Sequence, residues 1–170
     1  MKAISSLIMF CLLIMLGGCG NDTTLEEAIK ENKEWEDVFY ITQTNDEYAL
    51  VFMEEADGMM RAGLVVNRKN GWEASDTTGG LGILDLSRGF SGMSGPLYLN
   101  DKEFLVLTWG LIADEEIDKI EVVDNKDKGV NIIGTKNDMR IYYIVDTNMK
   151  DVSAEYKLAA FSKDGKILYE

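Results

Sequence analysis

Apolar and polar positions along the chain change their period twice. Leu7 to Leu16 is an unbroken apolar run of ten residues; as a helix it would rise about 15 Å, half the depth of a hydrocarbon core of about 30 Å. It is too short to span a bilayer. Thr24-Leu25-Glu26-Glu27 then has the form of a capping box, in which a Thr hydroxyl and a Glu carboxylate satisfy each other's backbone donors. Leu25, Ala28 and Ile29 share one helical face. This predicts a short helix to about Lys33. From Trp35 onward the pattern is that of strands. Val38 to Thr44 and Tyr48 to Met53 flank the turn pair Asn45-Asp46. Asp57-Gly58 and Asn70-Gly71 then bracket a strand near Arg61 to Asn67 and open another at Trp72.

The second half continues in the same grammar, with strands predicted at Phe104 to Ile112, Ile117 to Val123, Val130 to Ile133, Met139 to Val145, Ala154 to Phe161 and Ile167 to Tyr169. Ala154, Tyr156, Leu158 and Ala160 alternate with Glu155 and Lys157, which predicts one packed and one wet face. Asp164-Gly165 closes the last hairpin. Roughly ten strands and one helix, with no helix long enough for a crossover, predict a mainly β fold, α+β at the margin. The short N-terminal helix is followed by antiparallel sheets packed as a sandwich or partly closed barrel. Between the halves, Gly79, Gly80, Gly82, Gly89, Gly92 and Gly95 fall within 17 positions. They predict a long, adaptable loop. Trp72, Gly79, Gly80, Phe90 and Met93 are its candidate partner-binding residues, with a plain connection between strands as the alternative. Trp35, Trp72 and Trp109 are spaced 37 residues apart, but their flanks do not align, so no repeat is assigned.

What surrounds the apolar run gives it a purpose. One positive charge, Lys2, precedes it and two small residues follow, the layout of a secretory signal. Leu16-Gly17-Gly18-Cys19 resembles the lipobox of bacterial lipoproteins. The resemblance implies cleavage between Gly18 and Cys19, with Cys19 carrying a thioether-linked diacylglycerol and an amide-linked acyl chain such as palmitate. An ordinary cleaved signal and a core helix with a chance cysteine are the alternatives. The expected organisation is a signal peptide over 1–18, a lipidated Cys19 with a short tether over 19–23, and a single β-rich domain over 24–170. Because Cys11 leaves with the signal and Cys19 is consumed by lipid, the mature domain has neither thiol nor disulfide.

Charge narrows the partners. The whole chain has a formal charge of −13, and loss of Lys2 with the signal leaves −14, which repels phosphate backbones; no nucleic-acid partner is expected. Anionic headgroups are repelled as well, so acyl chains rather than the protein surface should hold it at the membrane. The chain contains no histidine. Ser-His-Asp catalysis and imidazole zinc sites therefore cannot be built. Asp124-Asn125-Lys126-Asp127-Lys128-Gly129 has lysines where a calcium loop needs oxygen ligands. The glycines match neither a phosphate-binding loop nor a G-x-S-x-G elbow. No cofactor or metal is expected. Paired carboxylates, Asp114 and Glu116 above all, remain the route to an enzyme.

Trp109-Gly110-Leu111-Ile112-Ala113-Asp114-Glu115-Glu116-Ile117, the closing Ala160 to Leu168, and Asn70-Gly71-Trp72 with Gly79-Gly80 resemble segments of small, uncharacterised exported proteins of Gram-positive bacteria. That resemblance implies no activity. The expectation is a lipid-anchored, extracytoplasmic lipoprotein of the cell membrane, non-enzymatic, binding an envelope protein or glycan. A carboxylate-dependent hydrolase of cell-wall glycans is the alternative, and a small-ligand carrier a third reading.

Overall fold

The computed structural model describes residues 22–55, 58–81, 89–135, 140–147 and 156–170. The expected signal segment 1–18, Cys19, Gly82 and the first two residues of the alternating segment lie outside them.

The helix α1 (Leu25–Glu31) starts as the capping box requires. Thr24 Oγ1 accepts the Glu27 N–H at 3.2 Å and the Glu27 carboxylate accepts the Thr24 N–H at 2.8 Å. It ends two residues short of Lys33 because the Asn32 side chain accepts the Glu34 N–H at 3.1 Å, a local bond that competes with helix continuation. Eleven strands follow among the described residues: β1 (Val38–Gln43), β2 (Tyr48–Glu54), β3 (Met60–Arg68), β4 (Gly71–Thr77), β5 (Met93–Tyr98), β6 (Phe104–Ile112), β7 (Ile117–Val122), β8 (Asn131–Gly134), β9 (Arg140–Asp146), β10 (Leu158–Ser162) and β11 (Ile167–Tyr169). They form three antiparallel sheets, ordered β1-β2-β3-β4, β5-β6-β9-β8 and β11-β10-β7. None closes into a barrel.

Strand alternation assigns each face to a layer. Leu50, Phe52, Ala62 and Leu64 of the first sheet meet Leu105, Leu107, Trp109 and Ile141 of the second in the largest core. Val51, Met53 and Val65, on the opposite face of the first sheet, pack with Ala28, Ile29 and Trp35. Ile112 and Tyr142, on the opposite face of the second, pack with Ile117, Ile120 and Ala160 of the third. The molecule is therefore stacked as helix, sheet, sheet, sheet.

Two sequence expectations change. The glycine-rich stretch is not one long loop, since β5 begins inside it at Met93; its Pro96 is tolerated because β5 is an edge strand. The alternation predicted through Ala160 also fails in β10, where Ala159 and Ala160, on opposite faces, are both buried.

Trp35 closes the outer core. Its Nε1 donates to Thr77 Oγ1 at 3.2 Å, and its ring occupies the space a side chain at position 63 would need: a Cβ on Gly63 would lie 2.6 Å from the indole. Trp35→Ala is expected to lose about 3–5 kcal/mol. Gly63→Val is expected to destabilise as well, by displacing the ring. Urea unfolding of the two variants and the wild type checks both.

Candidate functional site

The face of the second sheet that packs against the third also carries polar side chains. Ser94 on β5 and Thr108 on β6 face this side and share a hydrogen bond, Oγ to Oγ1, of 2.8 Å. Beside them a cleft runs between the sheets. One section of about 500 Å³ is lined by Phe90, Ser91, Tyr156, Leu158, Tyr169 and others; a smaller section of about 150 Å³ reaches Ser94, Thr108 and Tyr142. Gly92, Tyr156 and Leu158 belong to both.

Glycines shape the floor. A Cβ on Gly110 of β6 would sit 1.7 Å from the Ser91 carbonyl oxygen, and one on Gly92 would sit 2.0 Å from Tyr142 Oη. Residues 89–92 can therefore lie directly on β6. The Ser91 N–H donates to the Leu111 carbonyl at 3.0 Å, and the Gly89 carbonyl accepts from the Ala113 and Asp114 N–H groups at 2.9 Å each. These glycines serve close packing rather than freedom of movement. Phe90 is held edge-on to Tyr142, with centroids 5.8 Å apart, and to Tyr169 at 6.5 Å.

The hydroxyls around the cleft differ in how they are used. Tyr156 Oη donates to Asp146 at 2.6 Å, and Asp146 also pairs with Lys128 at 2.8 Å. Tyr169 Oη donates to Asp114 at 2.8 Å. Tyr142, 2% exposed as a residue, lines the smaller section with no hydrogen-bond partner for its hydroxyl among the described residues. Ser91 Oγ is the hydroxyl of the cleft that is buried without a partner. All three phenols are held above their ordinary pKa: Tyr142 by burial, Tyr156 by burial and then by its bond to Asp146, Tyr169 chiefly by its bond to Asp114. They remain neutral donors across physiological pH.

The structure does not gather the residues singled out from the sequence into one patch. Phe90 lies in the cleft. Met93 lines its smaller section and packs toward the inter-sheet core, its Cε 3.3 Å from where a Cβ on Gly79 would be. Gly80 sits against Met59 and Arg61, while Trp72 is on the other side of the molecule, against the core beneath α1. Tyr142, Tyr156, Ser94 and Thr108 were not foreseen. The one signal for Tyr142 is its place within the buried run Ile141 to Ile144 of β9.

Asp114 and Glu116 fall in the turn between β6 and β7. One Asp114 oxygen accepts the Glu116 N–H at 2.8 Å and the other accepts from Tyr169. These donors, the Glu116 amide first and Tyr169 second, hold the Asp114 carboxyl below its ordinary pKa. A general acid needs the opposite shift. Arg140 on β9 donates to the Asp114 and Ile117 carbonyls, so the turn is clamped to the second sheet. Among the described residues no cluster of three or more acidic or thiol side chains could hold a metal ion.

Tyr169→Phe is expected to move the Asp114 pKa upward, read from the side-chain carboxyl in an NMR titration. A depressed pKa stabilises the fold above the ordinary carboxylate value and ceases to do so as pH falls through the depressed one. The stability difference between wild type and Tyr169→Phe should therefore narrow on acidification below about pH 4.

Comparison of the chain with protein-family models, with curated proteins and with solved structures finds no match in any of the three.

Proposed function

We propose that the protein is a lipid-anchored lipoprotein on the extracytoplasmic face of the cell membrane, and that its β domain is a non-enzymatic module binding a neutral, hydroxyl-rich envelope glycan in the cleft between the second and third sheets. The anchor rests on the lipobox residues Leu16-Gly17-Gly18-Cys19. The binding role rests on the Ser91 hydroxyl, which is buried at the cleft without a partner, beside the neutral Tyr142 phenol that lines the adjoining smaller section. An unsatisfied buried hydroxyl costs about 1–3 kcal/mol. A ligand group bonding to Ser91 Oγ would recover that cost.

The surroundings fit a sugar. Phe90, Tyr156 and Tyr169 offer aromatic surface for the apolar face of a pyranose ring, and Ser91, Ser94 and Thr108 offer hydroxyls for its edge. The carboxylates Asp146 and Asp114 behind the tyrosines, together with the acidic surface, disfavour an anionic ligand. The hydrolase alternative gains nothing from the Asp114 geometry.

Titration of the full chain with a neutral β-1,4-linked N-acetylglucosamine tetramer, followed by NMR, should shift the Phe90, Gly92 and Tyr142 signals. Tyr142→Phe is expected to weaken binding about tenfold while leaving stability unchanged, because it removes one ligand bond and no bond within the described protein. Equal affinity of variant and wild type, or no binding by either, would refute the assignment. For the anchor, Cys19→Ser should abolish labelled-palmitate incorporation and release the protein from the membrane fraction.

A further inference from the structure

The first described residues are not a free lead-in. The Thr23 N–H donates to the Asn70 carbonyl at 3.2 Å and the Thr23 carbonyl accepts the Trp72 N–H at 2.8 Å, a parallel bridge across Gly71. Position 71 is built for this contact. Gly71 has φ +102°, and a Cβ there would lie 2.3 Å from Thr23 N and 2.4 Å from Thr23 O. The chain is thus clipped to the β3–β4 turn four residues after Cys19.

Four residues reach at most about 14 Å when fully extended. A domain of this size has a radius of gyration of roughly 15 Å. A tether shorter than the body it holds cannot let that body turn freely; the attachment point must face the surface to which the tether is fixed. What surrounds the attachment point suits such a surface. Arg68 and Lys69 are exposed at the turn, and Lys69 forms no ion pair among the described residues, while Arg68 is engaged by Glu73 and by the Leu99 carbonyl. Trp72 is half-buried beside them and, with Thr23, Asn32 and Glu31, lines an open hollow of about 580 Å³ between the turn and α1. A Trp with one edge on the core and one toward solvent, next to a lysine, matches the residue types enriched at membrane interfaces.

We infer that the β3–β4 turn, with Lys69 at its tip and Trp72 at its base on β4, is the face this domain presents to the phospholipid headgroup layer. The inference rests on the lipid anchor at Cys19. The acyl chains hold the protein at the membrane, and the Thr23–Gly71 clip sets which way it faces. Arg68 reaches the Leu99 carbonyl at one end of the second sheet, and Lys163 lies beside Arg140 at the other, so the β10–β11 turn is then carried away from the bilayer by the length of the strands.

The test uses the full chain, expressed in a bacterium that processes lipoproteins and reconstituted in phosphatidylglycerol–phosphatidylcholine vesicles containing a headgroup-nitroxide lipid. Lys69→Cys and Lys163→Cys, the latter on the β10–β11 turn, each carry a thiol-linked fluorophore, and the mass of the N-terminal peptide reports acylation of Cys19. Quenching several-fold greater at position 69 than at 163 is expected. A flexible insertion of about ten Gly and Ser residues after Gly20, with a root-mean-square span of roughly 17 Å, should bring the two values together without touching the fold. Equal quenching at both positions with Cys19 acylated, or no effect of the insertion, would overturn the orientation and leave the lipoprotein reading intact. An unacylated Cys19 would overturn both.

Discussion

Two strands buried on both faces impose most of this architecture. Every residue of β2 from Tyr48 to Met53 and of β6 from Leu105 to Ile112 is buried. With no water on either face, the backbone N–H and C=O groups of these strands can be satisfied only sideways, by neighbouring strands. Each is accordingly interior to a four-stranded antiparallel sheet, β2 between β1 and β3, β6 between β5 and β9. Their inner faces meet through Phe52, which lies 5.8 Å from the Trp109 ring and 5.3 Å from that of Tyr143. Their outer faces need covers of their own. Over the first sheet that cover is α1 with Trp35; over the second it is the small third sheet.

Stacking four layers in one domain places demands on small residues. Where a side chain or segment from one layer must touch the backbone of the next, only glycine leaves room. Gly63 admits the Trp35 indole, Gly110 admits the Ser91 carbonyl, and Gly92 admits the Tyr142 hydroxyl. The cleft lies where the outer face of the second sheet turns polar, at the hydrogen-bonded pair Ser94 and Thr108. Tyr142 spans the boundary, its ring in the core with Ile112 and Ala160 and its hydroxyl toward the cleft.

Local grammar was legible in the sequence wherever a residue's neighbours in the chain decide its conformation. Thr24 and Glu27 marked the helix start, Asn45-Asp46, Asn70-Gly71 and Asp164-Gly165 marked turns, and Phe104 to Ile112 and Ile167 to Tyr169 coincide with β6 and β11. What failed was decided by partners distant in sequence. Gly89 and Gly92 read as loop residues because the reason for them, close approach to β6, lies some twenty positions away. The layering was hinted at by the continuous apolar runs of β2 and β6, which lack the alternation of a sheet with one wet face. Phe90 and Met93 were the parts of the cleft that could be named in advance. Thr108 on β6, Tyr142 on β9 and Tyr156 just before β10 are far apart in the chain and share no local signal.

The layer order also ties the two proposed surfaces together. The clip at Thr23 and Gly71 is on the first sheet, beside the helix layer, whereas the cleft opens between the second and third. If the β3–β4 turn rests on the headgroups beside Leu99, the cleft, toward the Phe90–Ile112 end of the second sheet, is set back by several residues of strand at about 3.3 Å each. On the proposed anchoring, a short tether would then be no handicap to reaching envelope glycan. It would remove rotational freedom and keep the cleft from being averaged over all directions. A long flexible stalk would give greater reach but lose that orientation, because tether span grows only as the square root of its length while the domain becomes free to tumble.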